Sequence, residues 1–141
     1  MPLFQTATNT FRTGLANAAY NFSSDTFKIA LYTGAATLDE TTTAYTTTNE
    51  VVAAGYTAGG ATLTVSVTPT TGNAGNITYL SFSNVSWSAA LTARGALIYK
   101  FNGTTNPSVC VLDFGGEKTS RTVFQIQFPT ADNSSAIIRI A

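Results

Sequence analysis

From residue 25 onward the apolar positions recur every second residue. Phe27, Ile29 and Leu31 alternate with Lys28, Ala30 and Tyr32, and Leu63, Val65 and Val67 alternate with Thr62, Thr64, Ser66 and Thr68. Alternation of this kind puts one set of side chains on a buried sheet face and the other toward water. Val51 and Val52 open a further strand, closed by the glycine-rich residues 55–60. Residues 93–101 are apolar on both faces, which predicts a central strand, and 109–114, 123–128 and 136–140 complete the set. Ile77 and Tyr79 are out of phase with Leu80 and Phe82, and again with Val85 and Trp87. Such slips predict β-bulges or a strand that passes from one sheet to another. Turn residues gather at 69–76, 103–107, 115–120 and 129–135. About eight strands so punctuated predict an all-β fold, an antiparallel β-sandwich of jelly-roll-like form. No helical pattern alternates with the strands, which excludes a parallel α/β fold.

The first two dozen residues follow another period. Phe11, Leu15, Ala18, Ala19 and Phe22 recur at three- and four-residue spacing after Asn9 and Thr10, either of which can cap a helix. This predicts a short amphipathic helix over 10–21, weakened by Gly14. The division expected is a helix or arm over 1–24 and a sandwich domain over 25–141. Residues 34–50, with Gly34, Asp39-Glu40 and a run of threonines, predict a long loop.

Composition narrows function. The 141 residues include no histidine, one cysteine and 26 threonines; only 10% are charged, while 44% are hydrophobic. Histidine is the usual general base near neutrality and the commonest metal ligand, so its absence removes most hydrolase and metalloenzyme mechanisms. Formal net charge is zero, leaving no long-range field to attract nucleic acid or an anionic membrane. A surface so poor in charge repels its neighbours weakly and tends to associate. The opening Met1-Pro2-Leu3-Phe4 carries no charged segment before an apolar run, which predicts no signal peptide. The apolar runs fall far short of the ~20 residues that span a bilayer. The expectation is a chain made in a cytoplasm, where its five Asn-x-Ser/Thr sequons, at Asn21, Asn76, Asn84, Asn102 and Asn133, are products of composition.

The motifs weigh against catalysis. Asp113-Phe114-Gly115 matches the metal-holding tripeptide of protein kinases, but nothing else of that signature accompanies it, so it predicts a strand ending in a Gly-Gly turn. Residues 55–60 lack the Gly-Lys-Ser/Thr ending of a phosphate loop and predict a hairpin or bulged connection. Cys110, between Val109 and Val111, has no histidine to activate it and is expected to be a small buried hydrophobe. Asp25, Asp39, Glu40, Glu50, Asp113, Glu117 and Asp132 are the carboxylates from which an acid pair for glycoside hydrolysis would come. Most stand at expected turns or strand ends, where acids serve hydrogen bonding and solubility. Asp113, Glu117 and Asp132 leave a Ca²⁺ site open, without EF-hand spacing. The expectation is no enzyme, no cofactor and no metal. Tyr45 and Tyr56 fall near loops and are candidate partner contacts, because such rings add contact area at little entropic cost. Arg94 is a third, which can instead pair with a carboxylate inside the fold. Trp87 is expected to plug the core.

Several stretches, in order, resemble a family of small virion structural proteins of tailed bacteriophages. They are Phe27-Lys28-Ile29-Ala30-Leu31-Tyr32-Thr33, Glu50-Val51 with Gly55-Tyr56-Thr57-Ala58-Gly59-Gly60, Thr92-Ala93-Arg94-Gly95-Ala96-Leu97-Ile98-Tyr99, and Val111-Leu112-Asp113-Phe114-Gly115. Phe128-Pro129 and the closing Ala136-Ile137-Ile138-Arg139-Ile140-Ala141 complete the likeness, which spans 26–141. Ala53-Ala54 depart from it, where a glycine-containing pair is common. The resemblance implies a capsid cement or decoration protein that binds between capsomers on the head exterior. Its partners would be the major capsid protein and further copies of itself, as a dimer or trimer. A tail or fibre component that binds a receptor or glycan is the alternative. The resemblance carries no catalytic residues across.

Overall fold

A computed structural model describes residues 3, 5–71, 77–132 and 135–140. In chain order the elements are β1 (Thr6–Ala7), α1 (Asn9–Ala16), β2 (Phe27–Tyr32), β3 (Ala61–Leu63), β4 (Val65–Thr71), β5 (Thr78–Phe82), β6 (Val85–Trp87), β7 (Thr92–Lys100), β8 (Ser108–Thr119), β9 (Phe124–Ile126) and β10 (Ile138–Ile140). The strands make three sheets, ordered β1-β8-β7-β2-β3, β10-β5-β4 and β6-β9, with antiparallel pairing throughout. The molecule is thus mostly β, with ten described strands rather than about eight.

The additional strands arise where one expected strand divides. Residues 62–68 split at Thr64, sending β3 to the five-stranded sheet and β4 to the three-stranded one. The slip after Phe82 is a change of sheet: β5 pairs with β4 and β10, whereas β6 pairs with β9. Val51-Val52 forms no strand; Glu50 makes only an isolated bridge with Tyr32. Residues 55–60 consequently close no hairpin. They make successive turns, Tyr56 N–H to Ala53 O (3.1 Å) and Gly60 N–H to Thr57 O (2.9 Å), that lead into β3. Gly60 has φ +80°, and a Cβ there would collide with the Ile29 backbone, so the turn requires glycine. β8 does not end at Gly115-Gly116 either. It continues to Thr119 through a bulge, since Asp113 pairs with Gly95 but Lys118 with Ala93. The turn expected from residue 69 does not begin there, because β4 runs on to Thr71, and its residues 72–76 lie outside the described residues.

β2 is buried on both faces, not one. Phe27, Ile29 and Leu31 join the main core with Ile98, Cys110, Leu112, Leu80, Phe82, Trp87, Phe124 and Ile138. Ala30 and Tyr32, on the opposite face, join Leu97, Tyr99 and Val111 under Leu3, Ala36 and Leu38. The segment after β2 therefore folds back over the outer face of the large sheet. The alternating pattern missed this because the covering residues come from a threonine-rich loop.

α1 is shorter than expected and starts earlier. Its N-cap is Thr8, not Asn9 or Thr10: Thr8 Oγ1 accepts from Phe11 N–H at 3.2 Å. At the other end Ala18 takes φ +57°, and Ala19 N–H reaches Gly14 O at 2.8 Å, a Schellman closure. The chain then returns Tyr20 so close to Gly14 that a Cβ would collide with the ring. Phe11, Tyr20 and Phe22 enter the main core, so the N-terminal segment shares it with the strands. No helix among the described residues is long and apolar enough to cross a membrane.

Candidate functional site

The feature that organises the loop side of the molecule is Glu50, 6% exposed. Its Oε1 accepts from the Tyr45 hydroxyl at 2.6 Å. Its Oε2 accepts from the Tyr56 hydroxyl at 2.6 Å and from Gly59 N–H at 2.8 Å. The Tyr56 hydroxyl also accepts from Leu31 N–H at 2.8 Å, which ties the turn to β2. Tyr99 on β7 donates to Gly59 O at 2.6 Å and stacks on Tyr45, centroids 4.8 Å apart. Tyr32 donates to Thr46 O at 2.6 Å. Residues 45–60 are thereby fastened to β2 and β7 around one carboxylate. Hydrogen bonds to an ionised acceptor are the stronger kind, and a buried carboxylate persists only when so paired.

The surroundings shift these tyrosines against ionisation. Burial, followed by the nearby Glu50 charge, pushes the Tyr99 hydroxyl up to about 12. Burial and then the hydrogen bond to Glu50 raise Tyr56 and Tyr45 well above the ordinary tyrosine value. All three remain neutral donors in the physiological range. The partners of Glu50 are donors rather than a second acid, so the arrangement holds the chain and does not build the acid pair of a glycosidase.

Two of the three expected contact residues meet at this centre. Tyr56 is a core residue at 8% exposure, with its ring 5.9 Å from Trp87, and Tyr45 is half-buried. Tyr56 therefore offers little side chain to a partner, its hydroxyl being held by Glu50. Arg94 lies apart from them and takes the internal option, with Nε 3.3 Å from Asp113 Oδ1 across the β7–β8 bulge. The Gly115 N–H bond and then Arg94 hold the Asp113 carboxyl below its usual range. Cys110 is buried and its thiol is pushed up to about 12 by burial, the state of an unreactive hydrophobe. Trp87 is buried at 7% against Phe124. Among the described residues no group of three acidic, cysteine or histidine side chains is placed to hold a metal.

Sequence reasoning counted Glu50 among seven acids and gave it no role. The local pattern does not mark it: Val51 beside it is buried, but Val52 is 95% exposed. A second feature left no sequence signature, because distant segments make it. Two adjoining grooves, of about 580 and 500 Å³, share Gln5, Leu112 and Ile137. The first runs between β8 and the chain around β9, over Phe114, Phe124 and Phe128. The second runs between β1, α1 and β10. Leu15, Val123 and Ile140, three of the exposed large apolar side chains, line them.

The class defined by these features is an all-β protein of antiparallel sheets, with a buried carboxylate fastening its long loop and an apolar groove beside its β1 edge. No protein-family model, curated protein or solved structure matches the chain.

Proposed function

We propose that the chain is a structural component of a tailed-bacteriophage virion, a cement or decoration protein on the capsid exterior, folded as a jelly-roll-like β-sandwich. The observation that carries this reading is where the resembling stretches fall. Residues 27–33 supply β2, 92–99 most of β7, 111–115 the middle of β8, and 136–140 include β10. Glu50 and residues 55–59 supply the carboxylate and two of its three donors. The likeness thus concentrates on the framework and its fastening, which a family would share while its outer surface varies.

That outer surface suits contact without chemistry. Leu38, Ala36 and Tyr45 of the long loop turn inward, while Thr41, Thr43, Thr47, Thr48 and Asn49 are exposed, as is Val52 at 95%. A cement protein needs many weak hydrogen-bonded and apolar contacts between capsomers, with the major capsid protein and with its own copies as a dimer or trimer. So few charges give little steering, and binding to capsids depends weakly on salt. Copy number tests the reading: gel densitometry of purified virions gives hundreds of copies per particle. A few to a few dozen copies would overturn it in favour of a tail or fibre component.

A further inference from the structure

The turn between β7 and β8, residues 101–107, holds the one Asn-Gly pair of the sequence, Asn102-Gly103. Both residues are exposed, and at Gly103, φ +78°, a Cβ would meet nothing among the described residues. With no side chain to shield it, a glycine nitrogen is the least hindered backbone nucleophile toward the amide carbon of a preceding asparagine. Here both reacting groups are engaged elsewhere. Asn102 Oδ1 accepts from Thr104 N–H and Thr105 N–H at 2.9 Å each and from Asn106 N–H at 3.0 Å, while Asn102 Nδ2 donates to Thr105 Oγ1 at 2.8 Å. Gly103 N–H donates to Asn106 Oδ1 at 3.1 Å, and Asn102 N–H to the same oxygen at 3.0 Å. Asn106 itself takes φ +44°, and its carbonyl accepts from Tyr45 N–H at 3.0 Å. The turn thereby joins the loop that Glu50 fastens.

We infer that Asn102 is a latent modification site, a deamidation site that the folded turn keeps shut and that opens only with the turn. In the reaction the Gly103 nitrogen bonds to Asn102 Cγ, the bond from Cγ to Nδ2 breaks, and Nδ2 leaves as ammonia with the proton that Gly103 gives up. Water then opens the succinimide: attack at Cγ gives aspartate, and attack at the main-chain carbonyl gives isoaspartate. Turning Cγ onto the Gly103 nitrogen breaks the Oδ1 and Nδ2 bonds together, which is why the closed turn protects. Opening an exposed turn is a local event that does not require global unfolding. Aspartate keeps the acceptor oxygen that the turn needs. Isoaspartate routes the main chain through Cβ and Cγ, lengthens the turn by one atom and draws Asn106 O away from Tyr45 N–H. The inference concerns this chain alone and does not rest on the virion reading.

The test ages the full chain in mildly alkaline buffer, folded and in urea, and follows Asn102 by peptide mass mapping. The folded protein is expected to convert at least about tenfold more slowly than the unfolded chain. Asn106→Gly accepts a positive φ but supplies no side-chain oxygen, and raises the folded rate toward the unfolded one with the β circular dichroism unchanged. Asn106→Asp keeps the oxygen and stays slow. In folded protein that carries isoaspartate the Tyr45 amide exchanges faster, whereas Asn102→Asp, with the same charge and no added atom, keeps its protection. Equal rates in the folded and unfolded chain, no conversion in the unfolded chain, or a folded Asn106→Gly protein no faster than the parent overturns the inference. So does a Tyr45 amide indifferent to isoaspartate.

Discussion

Replacing Glu50 by alanine removes the acceptor on which residues 45–60 converge. Two buried donors, Gly59 N–H and the Tyr56 hydroxyl, then lose their partner. Each unsatisfied buried group costs about 1–3 kcal/mol, whereas the half-buried Tyr45 can turn to water at little cost, so the expected loss is about 2–6 kcal/mol. Glu50→Gln keeps one acceptor oxygen, and a tyrosine hydroxyl can accept from the new amide, so it should cost about 1–2 kcal/mol. Tyr56→Phe orphans Leu31 N–H as well as one bond to Glu50. A double-mutant cycle between Glu50→Ala and Tyr56→Phe, read by denaturant unfolding, should therefore give a coupling of at least about 1 kcal/mol. Hydrogen exchange locates the damage: Thr33 N–H and Val51 N–H, bonded to Asn49 O and Leu31 O, lose protection first. A Glu50→Ala protein less than about 1 kcal/mol weaker, with those amides still protected, would refute the reasoning.

Ala18 holds a left-handed conformation that costs a non-glycine residue about 1–2 kcal/mol, so Ala18→Gly is expected to raise the unfolding midpoint, measured in denaturant. Alkaline pH should unfold the protein cooperatively. The native pKa of Tyr20 and Tyr99, near 12, lies above the ordinary 10, and that of Cys110 lies near 12 against 9.0. The native state therefore holds protons that the unfolded chain releases. Stability contributed by these groups is complete below their ordinary values and drains away as pH rises toward 12, so tyrosinate absorbance and loss of β circular dichroism should appear together. Cys110→Ala should cost only ~1–1.5 kcal/mol, read by denaturant unfolding, and leave the capsid binding proposed above unchanged, whereas loss of that binding with the fold preserved would give the thiol a role beyond packing. Arg94→Ala should change stability by less than about 1 kcal/mol, since the pair with Asp113 is partly exposed.

The sequence made the all-β class legible because β2, β7 and β9 carry period-two or doubly apolar patterns that burial enforces. It also left a trace of the sheet change after Phe82, as a parity slip that either a bulge or a change of sheet would produce. It concealed what local pattern does not encode. The spacing of Ala18 and Ala19 predicts a longer α1 than forms, because an αL residue that is not glycine ends the helix. The second core beneath the long loop has no local signature, because Leu38, Ala36 and Leu3 are isolated apolar residues whose partners lie far along the chain. Tyr45 and Tyr56 stand near loops in the sequence, which marks them as candidate contacts, but no local pattern shows that their hydroxyls turn inward to a buried carboxylate. The grooves join residues from both ends of the chain and have no local trace.

Stripping the protein from phage heads and measuring heat-induced DNA release tests the cement reading most directly. Heads lacking it should release DNA at a lower temperature, and adding back the purified protein should restore the original threshold at low and high salt alike. Unchanged release from stripped heads, or heads that carry no copies at all, would contradict it.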